Sequence, residues 1–323
     1  MAFFKKYLKF NNINIRYCEY LISKDPKIDI LMLPGAGDFI EKIESFSIKL
    51  SYENIRVIVI DLPGQGFSSR FAKNNTIRHL DTYNIYYDVI EKVSLHEELG
   101  FKRPLIFTGH SLGGFLCLSY LFKKELLNSK KTFLYPDKII TIAPMITLNL
   151  LNFDKVLIIF ISYFLKFFKI SYLSFPKIFI YLLIKLKLTH PNTVNNISLS
   201  SERWKTNENI KYFGEKEVNR VLQIYKDYPD LDMAGPSWRW TSITIKICEK
   251  FLKLELLKKI KIPVLIINAA NEKVVNPKGI ETIKKHIKIN DYVNLKESSH
   301  FVFHETNKIQ DFMFESILQF IRK

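Results

Sequence analysis

Leu105-Ile106-Phe107-Thr108-Gly109-His110-Ser111-Leu112-Gly113-Gly114-Phe115 decides how the rest of the chain is read. An apolar, strand-like run leads into G-x-S-x-G, and an apolar helical pattern starts at Gly114. A serine on so sharp a strand-to-helix turn takes strained backbone angles. The residues two before and two after it must be small, because a Cβ there would strike the neighbouring strand or helix. Gly109 and Gly113 stand at those places. The turn presents the Ser111 hydroxyl at a helix N-terminus, where free backbone N–H groups favour an oxyanion. Ser111 is therefore the expected nucleophile.

Outward from this turn, short β-branched runs recur: Ile28–Leu33, Ile55–Ile60, Leu105–Thr108, Ile139–Ile142 and Val264–Asn268. Runs apolar throughout suit parallel strands covered on both faces. Helical patterns separate them at Phe39–Leu50, Leu80–Leu99, Gly114–Phe122, Gly279–Ile289 and Ile309–Ile321, with Ile13–Leu21 as an antiparallel lead-in. This alternation predicts an α/β chain with a mostly parallel central sheet. It breaks after Pro144 and resumes at Pro263, so the expected organisation is a core of 1–146 and 258–323 with an inserted helical cap at 147–257.

A second glycine-rich turn, Pro34-Gly35-Ala36-Gly37-Asp38, follows the strand Ile28–Leu33. A phosphate-binding loop would need Lys-Ser/Thr after its last glycine, and Asp38-Phe39 stands there instead. The loop is expected to supply one oxyanion donor, the N–H of Ala36, opposite the N–H of Leu112. Asp61-Leu62-Pro63-Gly64-Gln65-Gly66-Phe67-Ser68 reads as a structural loop near the site, and Asp61 lies on no elbow that would make it a nucleophile.

In chains built on such an elbow the acid and then the histidine follow the serine. His300, just beyond the apolar stretch ending at Lys296, is the expected general base, with His304 as its rival at a helix start. After Val264–Asn268 the segment Asn268-Ala269-Ala270-Asn271-Glu272 carries one carboxylate, so Glu272 is the expected acid, holding the imidazole tautomer. Asp154 and Asp291 are the alternatives.

Composition narrows the partners. The chain has 323 residues and a net charge of +16, with lysine outnumbering arginine about four to one. The charge reads either as attraction to an anionic surface such as phospholipid headgroups or as the product of AT-rich coding. No arginine-based nucleic-acid motif accompanies it, so nucleic acid is not an expected partner. Cys18, Cys117 and Cys248 are scattered, which suits a reduced compartment and no metal cluster. No secretory signal or transmembrane helix is expected; the apolar run Val156–Leu165 is about half of the ~20 residues a span needs. A cytoplasmic location with peripheral membrane contact follows as the expectation.

With these residues in place the sequence resembles the bacterial lysophospholipase and monoacylglycerol lipase group of α/β-hydrolases. The resemblance runs through Leu33-Pro34-Gly35, Glu44-Ser45-Phe46, the Asp61–Ser68 loop, Gly109–Gly114 and Ala143-Pro144-Met145. It continues through Ser201-Glu202-Arg203-Trp204, Gly235-Pro236-Ser237-Trp238-Arg239-Trp240, Glu272-Lys273-Val274-Val275, and His300 followed by Glu305. Pro34 stands where many members carry His, and Glu272 where many carry Asp.

The resemblance implies an α/β-hydrolase fold and a serine hydrolase of single-acyl lipid esters, a lysophospholipid or a monoacylglycerol, working through an acyl-enzyme without metal or organic cofactor. Trp238 and Trp240 are expected to line the acyl channel or to pack as core. Val156–Leu188 interleaves large apolar residues with Lys166, Lys169, Lys177, Lys185 and Lys187, the pattern of an interfacial surface or of helices packed on the sheet edge. Two other functions fit the same residues: a hydrolase of small soluble esters or thioesters, and a ligand-binding protein without turnover.

Overall fold

Along the strand Ile28–Leu33, Ile30 and Met32 point to one side of the central sheet and Leu31 and Leu33 to the other, and all four are fully buried. A strand apolar on both faces must be covered on both, which is why its sequence reads as a continuous run rather than an alternation. The computed structural model describes residues 4–10, 12–101, 104–123, 135–148, 152–167, 199–253, 257–287 and 289–323.

Eight strands form one sheet: β1 Phe4–Phe10, β2 Ile13–Tyr20, β3 Ile28–Leu33, β4 Ile55–Ile60, β5 Leu105–His110, β6 Lys138–Ile142, β7 Val264–Ala269 and β8 Asp291–Leu295. Their order is β1-β2-β4-β3-β5-β6-β7-β8. The β1–β2 and β2–β4 pairs are antiparallel, and every pair from β4 to β8 is parallel. The five predicted parallel runs and the antiparallel lead-in are thus all strands.

Helices Ile40–Ser51 (α1) and Asn307–Arg322 cover one face, burying Ile43, Phe46, Leu50, Met313, Phe314 and Ile317 against Val57, Val59 and Ile140. The other face carries Asn84–Ser94 (α2) and Leu112–Tyr120 (α3), with Tyr86, Tyr87, Ile90 and Phe115 against Phe107 and Ile58. The helix expected over Leu80–Leu99 is shorter, Asn84–Ser94. Leu80, Tyr83 and Leu99 are buried from the flanking loops, so their apolar character marks burial there and not helical period.

After β6 the described chain is helical: Asn152–Phe167, Ser200–Trp204, Asn207–Phe213, Glu215–Asp227 and Trp238–Phe251. The last of these sends Trp240, Ile243, Cys248 and Phe251 into the main core, with Phe251 edge-on to Phe115. Most of the stretch that interleaves lysine with apolar residues, including Lys169, Lys177, Lys185 and Lys187, lies outside the described residues.

The strand order reverses beside β3, with β4 on one side and β5 on the other. Loops leaving the carboxyl ends of β3 and β5 therefore diverge and open a crevice, the place where parallel α/β sheets bind ligands. The glycine-rich turn after β3 and Ser111 after β5 both stand at that crevice.

Candidate active site

Ser111 has φ 50° and ψ −112°, a left-handed conformation that a residue with a side chain rarely adopts. The strain is held by packing on all sides. A Cβ on Gly109 would lie 2.3 Å from the Gly113 carbonyl carbon, and one on Gly113 would lie 2.0 Å from the Leu33 carbonyl oxygen. Both obstacles are backbone and cannot give way. Hydrogen bonds fix the turn from both sides: the Ser111 N–H donates to the Ile142 carbonyl at 2.9 Å, and the Met145 N–H donates to the Ser111 carbonyl at 2.9 Å.

The structure brings Ser111, His300 and Glu272 together, although 189 positions separate the first two along the chain. His300 Nε2 lies 2.9 Å from Ser111 Oγ, and His300 Nδ1 lies 2.6 Å from Glu272 Oε2. The carboxylate can only accept here, so Nδ1 carries the proton and Nε2 is left free to accept from the serine hydroxyl. The other Glu272 oxygen accepts the N–H groups of Val274 and Val275 at 2.7 and 3.0 Å. Burial pushes the Glu272 carboxyl up, but the His300 charge and hydrogen bond, with these two N–H donors, override it and hold the carboxyl below its ordinary value. The longer glutamate thus reaches His300 while its own loop clamps it.

The alternative residues are committed elsewhere. His304 sits in the short 3-10 turn Val302–His304, before the C-terminal helix, with Nδ1 2.7 Å from Glu217 Oε1. Asp291 pairs with Lys323. Asp154 falls in the helix Asn152–Phe167, and its side chain lies outside the described residues. Asp61 is fully buried and accepts from Arg16 Nε at 2.6 Å and from the N–H groups of Ile40 and Phe67 at 3.0 and 2.7 Å. Its acceptor positions are filled by structure, and Arg16 in turn holds Glu41 through both terminal nitrogens at 2.8 Å.

The turn after β3 lies against Ser111: a Cβ on Gly35 would come within 3.3 Å of Ser111 Cβ. No acceptor for the Ala36 or Leu112 N–H occurs among the described residues. Gln65 shapes this turn, although motif and spacing do not single it out. Its amide nitrogen donates to the Gly35 and Asp38 carbonyls at 2.7 Å each, and its amide oxygen accepts the Gly37 N–H at 3.0 Å. The Asp61–Ser68 loop thus acts on the site as a splint for the turn.

A second polar group unforeseen from sequence lies behind the triad. Asp38 Oδ1 accepts from Lys42 Nζ at 3.0 Å, and Asp38 Oδ2 faces His110 Nδ1 at 3.3 Å. Burial opposes the Asp38 charge, but Lys42 and His110 outweigh it and keep the carboxyl far below the usual range. The buried Lys42 ammonium stands 5.2–5.6 Å from the ring centres of Phe39, Trp204 and Tyr225, where ring faces offset part of the desolvation. Trp238 and Trp240 are both buried: Trp238 packs with Ile158 and Ile245, and Trp240 donates Nε1–H to the Tyr86 hydroxyl at 2.7 Å.

With this geometry in hand, three comparisons bear on the chain. The family model described as serine aminopeptidase, S33, matches residues 24–307. Among curated relatives, the probable lysophospholipase L2 of Haemophilus influenzae is 22% identical, covering 96% of this chain and 89% of the relative. Lysophospholipase L2 of Escherichia coli K12 is 21% identical, covering 82% and 69%. Among solved structures, a soluble variant of monoglyceride lipase from Saccharomyces cerevisiae, in complex with a substrate analogue, matches with a TM-score of 0.70 at 17% identity, covering 99% of this chain and 94% of that one. At that identity the structural likeness speaks for the fold, and the fold is that of the α/β-hydrolases.

Proposed function

The chain belongs to the serine aminopeptidase S33 family of hydrolases, and from that premise we propose that it hydrolyses the carboxylic ester of single-acyl lipids through an acyl-enzyme. One observation carries the reading: His300 stands between Ser111 and Glu272 at 2.9 and 2.6 Å, the separations a nucleophile–base–acid relay requires. In this mechanism Ser111 Oγ attacks the ester carbonyl as His300 Nε2 takes its proton. Glu272 stabilises the imidazolium that forms. The N–H groups of Ala36 and Leu112 receive the developing oxyanion. His300 then returns the proton to the leaving alcohol, and a water activated by the same imidazole cleaves the acyl-enzyme.

Lipid esters are favoured over peptides by the fate of the nearby carboxylates. An aminopeptidase must recognise a free ammonium, and Asp38 and Asp61 are already occupied by Lys42, His110 and Arg16. The names of the curated relatives point the same way. The helix Asn152–Phe167 supports contact with a lipid surface. It buries Ile158 and Ser162, while Val156, Phe160 and Tyr163 stand mostly exposed on its other side. Among the described residues no helix is long and apolar enough to cross a membrane.

A fluorophosphonate probe on the purified chain, followed by peptide mapping and a lipid-ester panel, tests the proposal. Ser111 should carry the adduct, and Ser111→Ala should lose both labelling and turnover. An unlabelled serine in a folded chain, with activity unchanged in Ser111→Ala, would overturn it.

A further inference from the structure

Arg78 is buried, with 8% of its surface exposed, yet it donates no hydrogen bond and makes no ion pair among the described residues. The contrast with Arg16 is instructive. Arg16 is also buried, and its Nε and both terminal nitrogens are occupied by Asp61 and Glu41. A guanidinium offers five N–H donors and cannot shed its charge. Leaving one buried and unpaired costs several kcal/mol. A fold keeps such a group where something outside the chain supplies the missing negative charge.

The position of Arg78 indicates what that is. Its backbone is clamped: the Ser237 N–H donates to the Arg78 carbonyl at 2.9 Å, and Arg78 bridges Pro236 in parallel fashion. Its guanidinium carbon stands over the Trp240 ring, 4.3 Å from the ring centre, and Trp240 is itself tethered to Tyr86. Nη1 points at the turn after β3, 3.1 Å from where a Cβ on Gly37 would be. The same three-residue turn touches Ser111 at Gly35. Gly35 thus lies against Ser111 and Gly37 against the Arg78 guanidinium, so one short turn separates the two groups, as a glycerol backbone separates an acyl ester from a headgroup phosphate. Arg203 adds a second positive charge close enough to oppose that of Arg78. Its own polar contact is with the Ser200 hydroxyl at 2.6 Å, and it too has no carboxylate partner among the described residues. Burial lowers the Arg78 pKa to about 10; Tyr86 opposes it, Arg203 acts in the same direction as burial, and Asp38 opposes it least. The Asp38 carboxylate is spent on Lys42 and His110.

We infer that Arg78, assisted by Arg203, forms an anion subsite that binds the phosphate of a lysophospholipid headgroup while its ester lies at Ser111. The inference rests on the ester-hydrolase reading above and narrows it from single-acyl lipids in general to phosphate-bearing ones. Arginine suits the task because its planar fork matches two phosphate oxygens at once.

The test compares wild type, Arg78→Gln, Arg78→Lys and Arg203→Gln on 1-palmitoyl lysophosphatidylcholine and 1-palmitoylglycerol, with active sites counted by fluorophosphonate titration. The readout is the ratio of kcat/KM for the two esters. Arg78→Gln should lower that ratio by about 10- to 100-fold, as expected for charge-assisted hydrogen bonds, chiefly through KM for the phospholipid. Arg78→Lys should recover part of it, and Arg203→Gln should lower it by roughly threefold. Thermal melting of Arg78→Gln should show no loss of stability, since an uncompensated buried charge has been removed. A ratio unchanged within about twofold, or a lowered melting temperature with equal loss on both esters, would overturn the inference and make Arg78 structural.

A binding arm separates this failure from that of the hydrolase reading. Ser111→Ala, with and without Arg78→Gln, is titrated with lysophosphatidylcholine and with inorganic phosphate. If no variant is labelled or cleaves either ester, the hydrolase reading falls. Arg78-dependent binding of lysophosphatidylcholine would still support the subsite, and binding indifferent to Arg78 would overturn it. Phosphate binding that depends on Arg78, with no change in lipid preference, would assign a free-anion site and overturn the headgroup assignment.

Discussion

His110 Nε2–H donates to the carbonyl oxygen of His300 at 2.8 Å, so the residue before the proposed nucleophile holds the backbone of the proposed base. The two rings also pack at 5.0 Å, and Phe303 flanks His110 at 5.5 Å. The elbow and the base loop are thereby one unit, although they come from opposite ends of the sequence. Replacing His110 by Phe keeps the ring and removes the donor. A hydrogen bond of about 1 kcal/mol that positions a base predicts a fall in kcat of roughly tenfold or less with KM near the wild-type value. His110→Gln, which can still donate, should recover most of it. Pre-steady-state acylation rates check both.

Glu272 carries a prediction in activity and one in pH. Glu272→Gln keeps the shape but no longer enforces the imidazole tautomer or balances its charge, and kcat should fall about 10³- to 10⁴-fold. Its carboxyl titrates below the ordinary value of 4.5 in the folded chain. The stability it contributes is therefore complete above pH 4.5 and is lost as the pH falls through the depressed value. Melting curves across the acid range should show the wild type losing stability below pH 4.5 more steeply than Glu272→Gln. Parallel curves would remove Glu272 from this account.

Ser111 is strained, at φ 50° and ψ −112°, and glycine is the one residue for which that conformation is ordinary. Ser111→Gly should abolish turnover and yet raise stability by about 1 kcal/mol, seen as a melting temperature higher by a degree or two. Gly113→Ala is the opposite case. Its methyl would be driven to 2.0 Å from the Leu33 carbonyl, so the variant should fail to accumulate as folded protein.

How much of this was legible beforehand follows from distance along the chain. Ser111, His300 and Glu272, which the structure brings together, each sit in a short signal of their own, a strand end followed by a recognisable turn, so local pattern locates them. Both faces of the sheet are covered, so the strands announce themselves as unbroken β-branched runs. Gln65, Lys42 and Arg78 carry no such mark. Gln65 acts on Gly37 from 28 positions away, Arg16 on Asp61 from 45, and Arg78 matters because no carboxylate meets it among the described residues. Such roles arise from which loops the sheet order brings together, and that order is not written in any one segment.

Glu217, one of these unmarked residues, ties the helix Glu215–Asp227 to the core by bridging His304 at 2.7 Å and Arg220. Burial raises its carboxyl, but Arg220 and His304 prevail and lower it from 4.5 to about 2. The stability that the Glu217 carboxylate contributes is therefore complete above pH 4.5 and is lost as the pH falls from there to about 2. Limited proteolysis at pH 3 should cut within residues 199–237 sooner in the wild type than at neutral pH. Glu217→Gln should already be cut faster at neutral pH and should change little on acidification.

The exposed side of the helix Asn152–Phe167 leads to the remaining prediction. Phe160 is 69% exposed and Val156 68%, one turn apart on a chain whose net charge is +16. Side chains so placed gain little from folding, but each would release apolar surface from water on entering a lipid interface, at about 25 cal/mol per Å². Lysines around them would add attraction to anionic headgroups that weakens with salt. Phe160→Ser should lower partitioning onto phosphatidylglycerol vesicles by about tenfold, the equivalent of 1–2 kcal/mol. It should leave the melting temperature unchanged, because the ring is mostly exposed and joins no core cluster among the described residues. Vesicle sedimentation at low and high salt separates the two contributions: salt should weaken binding of wild type and variant alike, whereas the loss on removing the ring should persist at both. A variant that partitions like wild type would show that this face meets no membrane.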